Sequence, residues 1–281
     1  MSEIQRRIEL VILEDTAGVS AVNRRRLDRI HRAARGPLTV RDAAKLLDLT
    51  PLETAKLLAH WQAQGWVVRV RRGLYLPVPL GANARAGWTG DVWTILTRIF
   101  SPCYIGGWSA CEHWHFTEQV FRTVLVFTRS SARPRKGEIQ GTPFVARRVS
   151  AGRFFGTSRV WRDGAPVDVS DPHRTLVDVL ADPSVGGGMR HVAQVAAAYF
   201  GSEHRSDRRL AEYGLRLGNR TVFKRLGFLV ERLGIDAPEV IARAREHLSA
   251  GYSRLDPRGP RKGRLMRRWR LLVNVDIPAG E

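Results

Sequence analysis

The feature that most restricts the fold of this chain is a helix start placed directly after a tight turn. Thr50 has the side chain of an N-cap, Pro51 follows at the first helical position, and Glu53 stands three residues after the cap. This order is a capping box with proline at N1, so a helix is expected to begin there. Asp48 and Leu49 supply the turn before it. The sequence therefore predicts two helices joined by a very short connection.

Two further helices are expected before this turn. Asn23 has the side chain of an N-cap for a basic helix that runs to residue 34, where Gly36 and Pro37 follow as helix-breaking residues. Thr39, with Asp42 three residues later, predicts the start of a second helix of about two turns. The helix that begins after Thr50 is then the third.

A hairpin is expected after the third helix. Gly65 is a helix stop, and short apolar segments at 66–70 and 74–76 flank the turn Arg71-Arg72-Gly73. Three helices followed by a two-stranded hairpin predict a winged helix-turn-helix. The expected fold class is α+β, with an N-terminal winged helix-turn-helix followed by a mixed α/β C-terminal domain.

The rest of the chain is expected to form a second domain. Small and polar residues at 81–88 mark the boundary, which divides the chain into a DNA-binding domain at 1–80 and a C-terminal domain at 81–281. Residues 2–14 can form a short helix, to which the sequence assigns no role. Helices are predicted at 91–100, 109–114, from a cap at Asp171 to about Pro183, at 189–200, on both sides of Gly218-Asn219 and at 238–249, and strands at 123–128, 144–149, 160–161, 166–169 and 268–275.

The charge points to a polyanionic partner. Lys and Arg number 46 against 27 Asp and Glu, which gives a formal net charge of +19. Folding does not require such an excess, whereas nucleic acid attracts it and releases counterions on binding. No long apolar run or signal peptide is evident, so a cytoplasmic protein without a membrane partner is expected. Cys103 and Cys111 are expected to be reduced thiols.

The winged helix predicts a set of DNA contacts. In helix-turn-helix proteins the second helix of the pair enters the major groove, and here Ala55, Leu58 and Trp61 are expected to face the core. The second helix, which begins at Thr39, is the supporting helix, and the hairpin around Arg71-Arg72-Gly73 is the wing. The arginines of both are expected to position the protein on phosphates without reading the base sequence. The candidate DNA-binding residues are Arg41, Thr50, Thr54, Lys56, His60, Arg69, Arg71 and Arg72.

A second basic surface is expected near the C-terminus. Gly259, Pro260 and Gly263 favour an extended chain there, which could follow the phosphate backbone of DNA or of RNA, or form a solvated loop. Its cations are Arg258, Arg261, Lys262, Arg264, Arg267 and Arg268.

Several segments together carry a family resemblance. They are RRGLYLP at the end of the winged helix, YIGGWSACEHW at 104–114, RTVLVFT at 122–128, DVSDPHRTLVDVL at 168–180 and LDPRGPRKGRLMRRWRLLVNV at 255–275. In this order they resemble AbiEi-family antitoxins. The resemblance implies a type IV toxin-antitoxin pair of an abortive-infection system. In such a pair the N-terminal domain of the antitoxin binds inverted repeats in its own promoter and represses it, while the C-terminal domain, here 81–281, carries the antitoxin activity. The resemblance also implies a nucleotidyltransferase-like toxin as functional partner, with or without a direct complex.

No enzymatic site, metal or cofactor is expected from the sequence. Cys111, Glu112, His113 and His115 lie close together but do not have zinc-ligand spacing. Two alternatives remain open. One is a metal-dependent nuclease fused to the winged helix, which would use Glu112, Asp168 or Asp171. The other is an RNA-binding or ribosome-associated factor that uses the C-terminal arginines.

Overall fold

The computed structural model describes residues 20–34, 36–79, 88–133 and 135–279. These residues fall into two compact units, one up to residue 91 together with 163–165, the other formed by 92–162 and the chain from 166 onward. The short helix predicted at 2–14 lies outside the described residues. So does nearly all of the predicted boundary segment at 81–88.

The first unit is a winged helix-turn-helix, as predicted. Its elements are α1 (Ala21–Ala33), β1 (Leu38–Thr39), α2 (Val40–Leu47), α3 (Pro51–Gln64), β2 (Val67–Arg71) and β3 (Leu74–Pro77). The strands form an antiparallel sheet in the order β1-β3-β2. Side chains from all three helices and the sheet form its core, among them Leu27, Leu47, Leu58, Trp61 and Tyr75.

Side-chain caps fix where these helices begin. Thr39 and Thr50 form complete capping boxes with Asp42 and Glu53, which confirms the predicted starts of α2 and α3. The predicted cap of α1 was wrong. Ser20 is the N-cap, and its hydroxyl accepts a hydrogen bond from the backbone N–H of Asn23. Both residue types are good caps, and the earlier one prevails because nothing between them prevents a helical turn.

The strand β1 was not predicted. Leu38 pairs with Tyr75 and Thr39 with Leu74, so the strand before α2 joins the hairpin that follows α3. A strand of two residues carries no alternation that a sequence pattern could reveal, and its pairing depends on residues far along the chain.

The second unit contains a mixed sheet with the order β6-β7-β5-β4-β9-β8, of which only Ala165, the first residue of β9, is grouped with the first unit. Its strands are β4 (Cys103–Ile105), β5 (Val124–Thr128), β6 (Lys136–Ile139), β7 (Thr142–Arg148), β8 (Thr157–Arg162) and β9 (Ala165–Ser170). The hairpin predicted around residue 163 is present. Asp163 and Gly164 both have positive φ, 46° and 72°, as a tight two-residue turn between twisted strands requires.

The second unit also contains helices. They are α4 (Val92–Phe100), α5 (Trp108–His113), α6 (Pro172–Ala181), α7 (Met189–Phe200), α8 (Asp207–Leu217), α9 (Thr221–Arg232) and α10 (Pro238–Glu246). The helices with predicted bounds all lie within three residues of those bounds at each end: α6 has its cap at Asp171 and ends two residues before Pro183, and α10 ends at Glu246 instead of 249. For α8 and α9 only their positions on either side of Gly218-Asn219 were predicted, and both helices are present there. The helix α6 is buried along nearly its whole length.

A small second sheet closes the chain. It has the order β10-β12-β11, built from β10 (Ser253–Arg254), β11 (Arg264–Met266) and β12 (Leu271–Val273). The strand predicted over 268–275 was therefore too long. Residues 267–270 form a turn in which Arg270 has a φ of 49°, so the chain reverses before β12 begins.

A buried ion pair lies inside the second unit. The Nε of Arg174 on α6 donates to Oδ1 of Asp178 at 2.9 Å, and one guanidinium NH₂ group donates to the Tyr104 hydroxyl at 3.1 Å and to the Arg153 carbonyl at 2.9 Å. The Arg174 side chain is 1% exposed and that of Asp178 is 7% exposed. Burial raises the pKa of Asp178, and the attraction of Arg174 opposes this rise. The pair ties α6 to β4 through Tyr104.

Candidate nucleic-acid interface

The helix α3, which was predicted to be the recognition helix of the helix-turn-helix, has one buried and one exposed face. Thr54, Leu58 and Trp61 are buried at helical spacing and hold the helix on the core. Leu52, Lys56, Ala59 and His60 are exposed. The exposed face carries a cation, an imidazole and a bare leucine, and Leu52 is 68% exposed.

The buried position of Thr54 overturns its predicted role as a DNA contact. Its side chain has no exposed surface, and its hydroxyl donates to the Thr50 carbonyl at 2.9 Å. Ala55, which was predicted to face the core, is only partly buried. Residues 54 and 55 both stand at helical spacing from Leu58, so the sequence period fits either of them. A threonine hydroxyl can donate its hydrogen bond to a carbonyl one turn back in the same helix. A threonine can therefore be buried at a position where its polarity suggested exposure to solvent.

The N-terminus of α3 is closed by its own cap. The Thr50 hydroxyl donates to a Glu53 carboxylate oxygen at 2.6 Å, and the Thr50 backbone N–H donates to the same oxygen at 2.9 Å. These two hydrogen bonds lower the pKa of Glu53, so a negative charge is fixed at the first turn. A phosphate is therefore not expected to bind at this helix end, and Thr50 acts mainly as a cap. The predicted contacts with DNA would then fall to side chains further along the exposed face.

The wing presents its arginines to solvent. Along β2, Val67 is buried whereas Arg69 and Arg71 are exposed, and Arg72 at the turn is exposed too. The pairing of β2 with β3 shifts register between Arg69 and Arg71. Gly73 has a φ of 77°, which lets the strand reverse directly after Arg72.

The cations of this surface are available for a ligand. Arg41 is exposed on the supporting helix α2. In the described part of the chain, no hydrogen bond or ion pair engages the side chains of Arg41, Lys56, Arg69, Arg71 or Arg72. We call these five side chains the winged-helix cations.

The predicted second basic surface lies on the small C-terminal sheet. All six of its cations are exposed, and Arg268 forms an ion pair with Glu231 at 2.6 Å. The segment is not a free loop, because Trp269 is fully buried and its indole N–H donates to Glu231 at 2.6 Å. The Asn274 side chain also bonds the carbonyls of Asp256 and Pro260.

The acidic residues of the nuclease alternative have separate structural partners. Asp171 caps α6 and accepts the Tyr213 hydroxyl at 2.8 Å, whereas Asp168 pairs with Arg159 at 3.1 Å. Glu112 accepts the backbone N–H of Phe121 at 3.4 Å. Within the described ranges, no three His, Cys, Asp or Glu side chains are grouped to hold a metal ion. The geometry gives this alternative no support.

Burial also determines the chemistry of the two cysteines. Both are free thiols with little or no exposed surface. Burial raises the pKa of Cys103 to about 12 and that of Cys111 further still. Neither is a reactive thiol, since the thiolate is the nucleophile.

None of the described helices has the length and apolar character needed to cross a membrane.

The sequence of the first unit matches a known protein family. Residues 25–78 match the model of a family described as "Transcriptional regulator, AbiEi antitoxin", and this stretch includes α2, α3 and the wing. No curated protein sequence matches the chain. Among solved structures, the RV2827C protein from Mycobacterium tuberculosis is similar, with 13% identity and a TM-score of 0.59 over 90% of this chain and 91% of that one. At this identity the likeness concerns the fold alone.

Proposed function

We propose, from the AbiEi antitoxin regulator match at residues 25–78, that this chain is a non-enzymatic repressor that binds inverted repeats in its own promoter and counteracts a nucleotidyltransferase-like toxin. The observation that carries the DNA-binding part is the set of winged-helix cations, which are exposed and unpaired among the described residues. A surface whose five cations have no carboxylate partner among the described residues suits a phosphate backbone.

The recognition helix α3 is proposed to lie in the major groove. A helix of ordinary diameter fits there, and the second helix of a helix-turn-helix presents its N-terminal half to base edges. Lys56 can bind guanine O6 and N7 or a phosphate. His60, one turn later, reaches the sugar-phosphate backbone.

Leu52 adds a contact that a purely electrostatic interface would lack. An exposed leucine gains nothing from water, whereas a thymine C5-methyl group in the major groove offers an apolar partner. With Leu52 one turn before Lys56, the exposed face of α3 can distinguish a thymine from a guanine at neighbouring positions. Sequence selectivity is therefore assigned to these two residues.

The wing and the supporting helix are proposed to hold the protein in register. Arg69, Arg71 and Arg72 meet phosphates or the adjacent minor groove, and Arg41 meets the backbone near α2. Such contacts raise the affinity for every duplex alike. They also make binding steeply dependent on salt.

The antitoxin role is proposed for the second unit on the basis of the family alone. The family is one of antitoxins that regulate transcription, and the chain would act in the cytoplasm, where its promoter lies. Co-expression with a nucleotidyltransferase-like toxin gene tests this role. Growth should recover when residues 88–281 are intact, including in a variant whose winged-helix cations are replaced.

A competition experiment tests the DNA-binding proposal. Labelled DNA from upstream of the gene is bound to the full chain and competed with unlabelled duplex of the same or of shuffled sequence. The upstream duplex should compete at least about tenfold better. Equal competition by the shuffled duplex would refute specific binding. Lys56→Ala should reduce this preference, whereas Arg148→Ala, an exposed unpaired arginine of the second unit, should leave it unchanged.

A further inference from the structure

The second unit contains a cavity that the repressor function does not use. Its volume is about 450 Å³, and it lies beside the start of α7 and the first residues of the basic C-terminal segment. Its lining includes two aromatic side chains, Trp108 and Phe121, and two guanidinium groups, Arg122 and Arg258. These four residues come from three separate parts of the sequence.

The two aromatic rings form a fixed platform. The ring centroids of Trp108 and Phe121 are 5.7 Å apart with an interplanar angle of 19°, so the rings are stacked. The indole N–H of Trp108 donates to the Thr123 carbonyl. The rings of His191 and Phe121 pack in a T-shaped arrangement, with their centroids 5.2 Å apart. Such a pair offers a flat apolar surface that does not need to be ordered when a ligand binds.

The arginines supply the positive charge of the cavity. In the described chain, no hydrogen bond or ion pair engages the guanidinium group of Arg122 or of Arg258. The carboxylate that lines the cavity, Asp256, is already hydrogen-bonded, because it accepts the backbone N–H groups of Met189 at 2.9 Å and Arg258 at 2.8 Å. Asp256 thereby occupies the N-terminus of α7, and an anion in the cavity must be bound by the two arginines.

We propose that this cavity binds an unpaired nucleotide of a single-stranded nucleic acid. The base stacks on the Trp108–Phe121 pair, and the flanking phosphates bind Arg122 and Arg258. From Arg258 the strand can continue along the exposed unpaired cations Arg261, Lys262 and Arg264. A duplex does not fit this site, because its base faces are covered by neighbouring bases in the stack. The proposal does not depend on DNA binding by the winged helix.

Binding of short labelled oligonucleotides to the full chain tests the proposal. Oligouridine and oligothymidine of about a dozen nucleotides are titrated by fluorescence anisotropy, each in the presence of excess random duplex, which occupies the winged helix. At least one of them should bind, and the comparison shows whether the site prefers RNA or DNA. If neither binds under duplex competition, the proposal is overturned.

Matched variants separate stacking from charge. Phe121→Leu keeps the apolar bulk and removes the π face, so the affinity should fall about tenfold. Arg122→Gln with Arg258→Gln should weaken binding by at least as much. Arg148→Gln with Arg220→Gln removes the same charge from exposed unpaired positions elsewhere in this unit and should change affinity less than about threefold. An equal loss in both double variants, or no change in Phe121→Leu, would contradict the site.

Photo-crosslinking of the unmodified protein keeps the test valid if a variant does not fold. Oligouridine that contains 5-bromouridine is irradiated with the wild-type chain, and the crosslinked peptide is identified by mass spectrometry. Crosslinks in the peptides that contain Trp108 or Phe121 support the proposal. Crosslinks confined to residues 20–79 would assign single-strand binding to the winged helix and overturn it.

Discussion

The Thr54 hydroxyl donates a hydrogen bond to the backbone carbonyl of Thr50 at 2.9 Å, inside the first turn of the recognition helix. This bond removes Thr54 from the surface, and the capping box removes most of the bonding capacity of Thr50. Of the exposed side chains in the N-terminal half of α3, this leaves Leu52 and Lys56 for contacts with bases, with His60 exposed one turn later. The selectivity of the proposed interface therefore depends on very few side chains.

Thr54 and Lys56 should separate stability from DNA recognition. Thr54→Ala loses a buried hydrogen bond and leaves a small cavity, so the free energy of unfolding should fall by about 1–2 kcal/mol. Preference for the promoter over shuffled DNA should persist. Lys56→Ala should do the opposite, with a stability change within about 0.5 kcal/mol. Urea unfolding and DNA titration of both variants check this, and a stable Thr54→Ala protein without promoter preference would restore Thr54 as a base contact.

Leu52 should be coupled to a thymine methyl group. Replacing single thymines of the promoter site by deoxyuridine removes only the C5-methyl, and at one or two positions wild-type affinity should fall by a few-fold. In Leu52→Ala the same replacement should have no further effect, since the apolar partner is already absent. Titration of the four protein and DNA combinations measures the coupling. Equal sensitivity of wild type and variant would exclude the contact without affecting the repressor proposal.

The wing arginines should contribute to affinity and not to selectivity. Arg71→Ala with Arg72→Ala should weaken binding to promoter and random duplex by similar factors. The slope of log affinity against log salt should become less steep by about 0.9 for each phosphate contact that is lost. Titrations at several salt concentrations give the slope. An unchanged slope would show that the wing does not touch DNA.

Gly73 should be restricted by conformation and not by space. A Cβ at this position meets nothing within 4 Å, yet the φ of 77° is unfavourable for most residues. Gly73→Ala should therefore destabilise the winged helix by about 1 kcal/mol, and Gly73→Asn should cost less because asparagine tolerates this region. Thermal unfolding of both variants checks the order. Equal stability of wild type and Gly73→Ala would contradict the turn geometry.

Removing only one partner of the buried Arg174–Asp178 ion pair should strongly lower the free energy of unfolding. Arg174→Met leaves a carboxyl without its cation, and the free energy of unfolding should fall by about 3–5 kcal/mol near neutral pH. Arg174→Met with Asp178→Leu should recover much of this loss. Burial raises the pKa of Asp178, and in the single variant Arg174 no longer opposes the rise, so the folded variant binds the proton of Asp178 more tightly than the unfolded chain does. Its deficit should therefore shrink as the pH falls toward about 4. A deficit independent of pH would argue against an unpaired carboxyl.

Local signals in the sequence predicted much of the fold. The capping boxes at Thr39 and Thr50, the turn at Asp163 and the cap at Asp171 all lie where expected. Each of these features is decided by residues within four positions of one another. The winged helix could be assembled from such signals alone, because its elements follow one another with short connections.

Features decided by distant residues were not predictable. The strand β1 exists only because Leu38 pairs with Tyr75. The buried side chain of Arg174 donates to Tyr104, 70 positions away, and to the carbonyl of Arg153, 21 positions away. Thr54 was misplaced because two adjacent positions satisfy the same helical period. The cavity between Phe121 and Arg258 joins residues more than a hundred positions apart, and each of them alone has no distinctive pattern.

Protection of a single thiol tests the placement of α3 most directly. Both native cysteines are buried with raised pKa values, so a cysteine introduced at exposed Ala59 is the fast-reacting thiol. Saturating promoter duplex should slow its alkylation at least about tenfold, while shuffled duplex at the same concentration has a much smaller effect. A cysteine at exposed Ser150 in the second unit serves as the control and should react at an unchanged rate. Undiminished alkylation of Ala59→Cys in the bound complex would contradict a recognition helix in the groove.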